Sequence, residues 1–175
     1  LWRGMRQGNL IAVIPGVLPA GRNRPVLMAD HIDTAFCEDE YERTGRRISA
    51  PGADDNVSAT AVLLRAAAVL KDSRLFHDIW LVHLTGEEFP PDDLGAREFL
   101  GRLMKEKKDI SGLVLMDLIG WRADQDDIFQ VNPGDNRPSL KIAAEAFDSA
   151  RALGIKFRPV LRTRFDSRSY LYNTD

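Results

Sequence analysis

Four short segments of the 175-residue chain concentrate carboxylates and an imidazole: Asp30-His31-Ile32-Asp33, Pro51-Gly52-Ala53-Asp54-Asp55-Asn56, Gly86-Glu87-Glu88 and Met116-Asp117. Any one of them reads as an ordinary polar loop. Brought to one place, the carboxylates would repel, and the usual remedies are protonation or a bound cation. With a histidine among the oxygen donors, mixed N/O ligation suits Zn²⁺ first, then Mn²⁺ or Co²⁺. His31 supplies a neutral nitrogen, and Asp33, two residues on, is spaced to accept the other ring N–H and fix the tautomer. A carboxylate such as Asp54 can bridge two ions roughly 3.5–4 Å apart, and Asp117 would complete the shell of one of them. Glu87 and Glu88 are adjacent, so in extended backbone they point to opposite sides. One can then bind metal while the other takes a proton from an attacking water.

These residues need a scaffold that gathers them, and the flanking pattern predicts one. Residues 9–14 (NLIAVI) read as a strand ended by Pro15-Gly16. Residues 25–30 (PVLMAD) read as a second strand, apolar on both faces and therefore buried. Residues 36–49 are polar and read as a loop. Residues 57–71 are rich in Ala and Leu and read as a helix buried along one broad face, with Asn56 as its N-cap. Residues 78–85 (DIWLVHLT) give a strand, 94–107 an amphipathic helix, and 112–118 (GLVLMDL) a buried strand. Further strands are read at 128–131 and 155–160. They flank a helix over 138–153 with Pro138 in its first turn and Gly154 past its end. Strands alternating with helices imply an α/β domain with a mostly parallel sheet. Such sheets bind ligands beyond the carboxyl ends of their strands, which is where the acidic segments fall.

Composition agrees with an ordinary globular domain and excludes several other classes. Hydrophobic residues are 44% and charged residues 29%, so the chain is neither disordered nor low-complexity. Twenty-four Lys and Arg against 26 Asp and Glu leave a net charge of −2, with no basic excess to recruit nucleic acid. The single cysteine, Cys37, rules out an internal disulfide framework and any multi-cysteine metal site. No apolar run reaches the roughly 18 residues a membrane span needs. The chain begins at Leu1 and stops at Tyr172-Asn173-Thr174-Asp175, and we read it as a single catalytic domain over residues 1–175, truncated at both ends. Compartment and oligomeric state are left open.

Taken together and in order, His31-Ile32-Asp33, Pro51 to Asn56, Thr85-Gly86-Glu87-Glu88, Leu94-Gly95-Ala96-Arg97-Glu98-Phe99 and Met116-Asp117-Leu118-Ile119-Gly120 resemble the zinc aminopeptidases of family M28, the co-catalytic di-zinc exopeptidases. The resemblance runs from Asn9 to at least Gly120. It implies the zinc-exopeptidase (phosphorylase/hydrolase-like) fold, three layers α/β/α around a mixed, mostly parallel sheet. It also implies two Zn²⁺ ions and a peptide or aminoacyl substrate. By the same resemblance His31 and Asp117 are ligands of the first zinc, Asp54 is the bridging carboxylate, and Glu88 is a ligand of the second zinc. Glu87 becomes the general base for the attacking water, and Asp33 the carboxylate that orients His31. Asp55 reads as a supporting or capping residue, and the Asp54–Asp55 peptide bond is expected to be cis.

One family feature has no counterpart. The family carries a fifth ligand, a histidine in a later strand-end loop. The chain has only His31, His77 and His83, and the last two precede Glu87. Residues 165–170 (FDSRSY) hold a loose echo of the segment that would carry it. The second metal shell is therefore expected to be incomplete in this chain.

Simpler roles fit the remaining residues. His83 lies within a strand and reads as a hydrogen-bonded core histidine, and His77 as a surface loop residue. Cys37 reads as an inert thiol. Glu38, Asp39 and Glu40 and the basic tail of Arg158, Arg162, Arg164 and Arg168 read as solvated surface. Trp121 fits a pocket wall or a core edge equally.

Three functions remain in competition. The first is an aminopeptidase. The second is a relative on the same scaffold, either a carboxypeptidase or amidohydrolase of acylated amino acids, or a glutaminyl-cyclase-like acyltransferase working with one zinc. The third is a non-catalytic receptor domain. A histidine paired with a bridging aspartate favours two metals over the cyclase. The intact set of acids weighs against the receptor.

Overall fold

A computed structural model describes residues 4, 6–35, 38–48, 50–88, 91–120 and 127–169. The chain divides into two compact units, residues 1–120 and residues 121–174. Cys37, Trp121 and residues 170–175 lie outside the described residues.

The first unit is built on a four-stranded sheet of β1 (Leu10–Ile14), β2 (Val26–His31), β3 (Ile79–Leu84) and β4 (Gly112–Leu115), in the order β1-β3-β2-β4. β2 is parallel to both β3 and β4, and β1 runs antiparallel along β3. The sheet is thus mixed and mostly parallel. The central strands obey the period of two that buries both faces of a parallel sheet. Leu27 and Ala29 of β2 and Val82 and Leu84 of β3 face α3 (Leu94–Lys105), packing with Phe99 and Leu103. Met28, Ile79 and Leu81 face the opposite way, against Leu63, Ala67 and Leu70 of α2 (Val57–Leu70). Helix, sheet and helix therefore form three layers. Gly95 lets α3 begin against the end of β3, since a Cβ there would run into the Thr85 carbonyl.

Four features differ from the sequence reading. A short helix, α1 (Glu38–Thr44), occupies the stretch read as loop. It has no apolar periodicity to reveal it, and Arg43 bonds both oxygens of Glu40 one turn away. β4 is not a buried strand: it is an edge of this sheet, leaving Leu113 and Val114 over two-fifths exposed. α2 buries a narrower face than its composition predicts, with Val57, Leu64 and Val69 more than half exposed. Asn56 stands at the N-cap of α2 but makes no capping bond there, because its side chain is used elsewhere.

The second unit pairs β5 (Ile128–Val131) in parallel with β6 (Arg158–Leu161), and α4 (Arg137–Ala152) connects them. The side chain of Asn136 caps α4 by accepting the Ser139 N–H at 2.9 Å. Gly154, at φ +60°, follows the end of α4. No helix among the described residues is long and apolar enough to cross a membrane.

Candidate metal centre

The carboxyl ends of β2, β3 and β4 lie side by side because β2 is parallel to both neighbours. His31 is the last residue of β2 and is only 1% exposed. Asp117 follows β4, and its Oδ1 lies 3.3 Å from His31 Nε2. Glu87 follows β3, with Oε2 3.9 Å from the same nitrogen. The loop leading into α2 brings Asp55, whose Oδ1 is 3.2 Å from His31 Nε2. Gly52 turns that loop at φ +67°, a conformation that favours glycine.

Two overlapping donor groups result. In each of His31, Asp55 and Glu88, and His31, Glu87 and Asp117, the possible ligand atoms lie within 4.8 Å of one another. The groups share one imidazole. Glu88 Oε1 is buried without a hydrogen-bond partner among the described residues. A buried, unsatisfied carboxylate oxygen beside a histidine and further carboxylates is what a divalent cation would satisfy. The donor set therefore fits zinc.

The site residues are held from behind. Asp33 accepts the backbone N–H of Glu87 at 3.3 Å and of Glu88 at 3.1 Å, tying the β2 loop to the β3 loop. His31 Nδ1 meets the Asp33 carbonyl at 3.2 Å, while the Asp33 carboxylate is at 3.8 Å. The tautomer is therefore fixed by the backbone of Asp33 more than by its side chain. Asn56 is 1% exposed and brackets Asp117: its Nδ2 donates to Met116 O at 3.1 Å and its Oδ1 accepts Leu118 N–H at 3.3 Å.

The crowding shifts the proton affinities of His31, Glu88, Asp55 and Asp33. Burial opposes the charge of His31, but hydrogen bonds to Asp117 and Asp33 and the charges of Glu87 and Asp117 outweigh it, raising its pKa to about 11. Burial, then the charge of Asp55, pushes Glu88 up to about 7. Asp55 is also raised, by burial and by the charges of Asp117 and Asp54 against the pull of His31. Asp33 goes the other way. Burial would raise it, but His31 and the backbone N–H groups of Glu88 and Glu87 lower it.

The structure gathers His31, Asp33, Glu87, Glu88 and Asp117 as the sequence predicts, but not Asp54. The Asp54 carboxylate turns away to accept the Gly120 N–H at 2.6 Å, and its carbonyl accepts the Ser58 hydroxyl at 2.6 Å. Asp55, read from sequence as a supporting residue, takes the place beside His31. The cis peptide bond is likewise Asp55–Asn56 rather than Asp54–Asp55. Residue type alone does not separate two adjacent aspartates. What separates them is the neighbour each meets, and the Gly120 N–H that takes Asp54 is 66 residues away.

The three layers and the acids at the strand ends define the zinc-exopeptidase fold. The chain belongs to peptidase family M28, whose model matches residues 9–172. Solved structures agree on the fold. LapB from Legionella pneumophila superposes with a TM-score of 0.67 at 17% identity, covering 92% of this chain and 40% of its own. A leucine aminopeptidase precursor from Bacteroides thetaiotaomicron gives 0.69 at 15%, covering 89% of this chain and 56% of its own. Glutaminyl cyclase from the same organism, bound to N-acetylhistamine, gives 0.67 at 16%, with the same 89% and 56% coverage. The chain thus spans between two-fifths and just over half the length of these proteins. Among curated protein sequences, none matches the chain directly.

Proposed function

We propose that the whole protein is a zinc-dependent exopeptidase, an aminopeptidase acting on peptide or aminoacyl substrates. The observation that carries this reading is the convergence of His31, Asp55, Glu87, Glu88 and Asp117 at the carboxyl ends of three parallel strands. His31, Asp55 and Asp117 would hold one zinc ion, and Asp55 with Glu88 would hold a second. Zinc held by these residues would supply Lewis-acid polarisation of a carbonyl and a lowered pKa of water. Glu87 is the general base: it takes the proton of the attacking water and passes it to the leaving amine. Asp33 keeps Glu87 in place through the Glu87 backbone N–H, and Asn56 holds the backbone on either side of Asp117 through the Met116 carbonyl and the Leu118 N–H.

A one-zinc, glutaminyl-cyclase-like acyltransferase is the second reading, favoured by the sharing of the single His31 between both donor groups. The test is zinc stoichiometry on the full-length protein, with assays of aminoacyl-anilide hydrolysis and N-terminal glutamine cyclisation. Two ions with anilide hydrolysis support the aminopeptidase. One ion with cyclisation supports the alternative and overturns it.

A further inference from the structure

Behind the metal-binding face lies a second polar cluster that no step above uses. Asp30 and His83 are register partners on β2 and β3, and both side chains point to the face covered by α2. The ring N–H of His83 at Nδ1 donates to Asp30 Oδ1 at 2.7 Å. The hydroxyl of Thr60, in the first turn of α2, donates to Asp30 Oδ2 at 2.5 Å. Asp30 is 0% and His83 5% exposed. The buried polar side chains described in residues 1–120 are Asp30, His31, Asn56 and His83, so they cluster in and directly behind the site.

Burying a carboxylate is costly, and an apolar trio of similar size would fill the same space without that cost. What the polar trio adds is fixed geometry. Asp30 immediately precedes His31. Thr60 lies one helical turn after Asn56, its N–H bonded to the Asn56 carbonyl at 3.2 Å, and Asn56 follows Asp55. His83 lies four residues before Glu87. The three bonded side chains therefore join the segments that carry three of the site residues. An apolar contact would let α2 slide or turn on the sheet. The Thr60 bond ties α2 to Asp30, and the His83 bond fixes the direction in which that carboxylate accepts it.

We propose that Asp30, His83 and Thr60 form a positioning cluster that sets the placement of α2 on β2 and β3, and with it the spacing of Asp55, His31 and Glu87. The proposal rests on the zinc-site reading above. The test is Thr60→Val in the full-length protein, with Thr60→Ser as the conservative control. Zinc affinity is measured by competition with a chromophoric chelator, and site geometry by the visible absorption of the Co²⁺-substituted protein. Both are measured well below the unfolding temperature of every variant. Thr60→Val is expected to weaken zinc about 10–100-fold and to change the Co²⁺ bands, as loss of groups behind the ligands does. Thr60→Ser is expected to restore both. Wild-type affinity and spectrum in Thr60→Val, whatever its stability, would overturn the proposal. So would a loss that Thr60→Ser does not reverse. A wild-type protein that takes up no zinc would overturn the zinc-site reading itself, and this proposal with it.

Discussion

The Asp33 carboxylate holds Glu88 by its backbone, accepting its N–H at 3.1 Å, and takes the N–H of Glu87 at 3.3 Å on its other oxygen. One side chain from the β2 loop thereby sets where two successive glutamates leave β3. Asp33→Ala removes both acceptors and frees the segment that carries Glu88, the proposed ligand, and Glu87, the proposed base. Zinc affinity is expected to fall about 10–100-fold. Chelator competition checks it, and an unchanged affinity would show that the two loops hold each other by other means.

The two adjacent aspartates give a direct comparison. Asp55 Oδ1 lies 3.2 Å from His31 Nε2, whereas Asp54 is engaged by Gly120. Asp55→Asn should therefore abolish most zinc uptake. Asp54→Asn should leave metal content close to wild type, since an amide oxygen still accepts the Gly120 N–H. Elemental analysis of purified variants decides between them, and the reverse pattern would return the bridging role to Asp54.

The raised pKa values of His31 and Glu88 predict the pH dependence of the site. His31 is raised from 6.5 to about 11 and Glu88 from 4.5 to about 7. In both, the folded state binds the proton more tightly than the unfolded chain. The stabilisation is therefore full below the unfolded value and is lost as pH rises through the folded value. For Glu88 the window runs from 4.5 to about 7, and for His31 from 6.5 to about 11. Asp33 is lowered, so its contribution is constant over that range. The denaturation midpoint of chelator-treated protein should fall from about pH 5 to about pH 9. Zinc ligation requires the deprotonated groups, so adding zinc near neutral pH should release protons. Calorimetry in buffers of different ionisation enthalpy counts them. A midpoint that rises across this range would contradict the geometry of the site.

The fold was legible because its signals are local. β2 and β3 are short apolar runs, and α3 and α4 carry a helical period, so their identities follow from the sequence nearby. The charged helix α1 escaped because nothing apolar marks it. The exposure of β4 depends on which strands lie beside it, and the sequence of β4 does not state that. The site was legible to the level of segments. Each acidic segment lies at the carboxyl end of a parallel strand or at the start of α2. The choice between Asp54 and Asp55 was not legible, because it turns on a contact with Gly120 far along the chain. His83 was correctly placed in the core as a hydrogen-bonded residue, but its partner Asp30 becomes visible only once β2 and β3 are in register.

Glu87 is the residue on which the proposed proton transfer depends. Glu87→Gln keeps the shape of the side chain and removes its capacity to take a proton. The measurement is aminoacyl-anilide hydrolysis by zinc-loaded full-length protein, wild type against Glu87→Gln, with zinc content determined on the same samples. Equal zinc and a loss of about 10²–10⁴-fold in turnover are expected. Near-normal turnover in Glu87→Gln at equal zinc would contradict it.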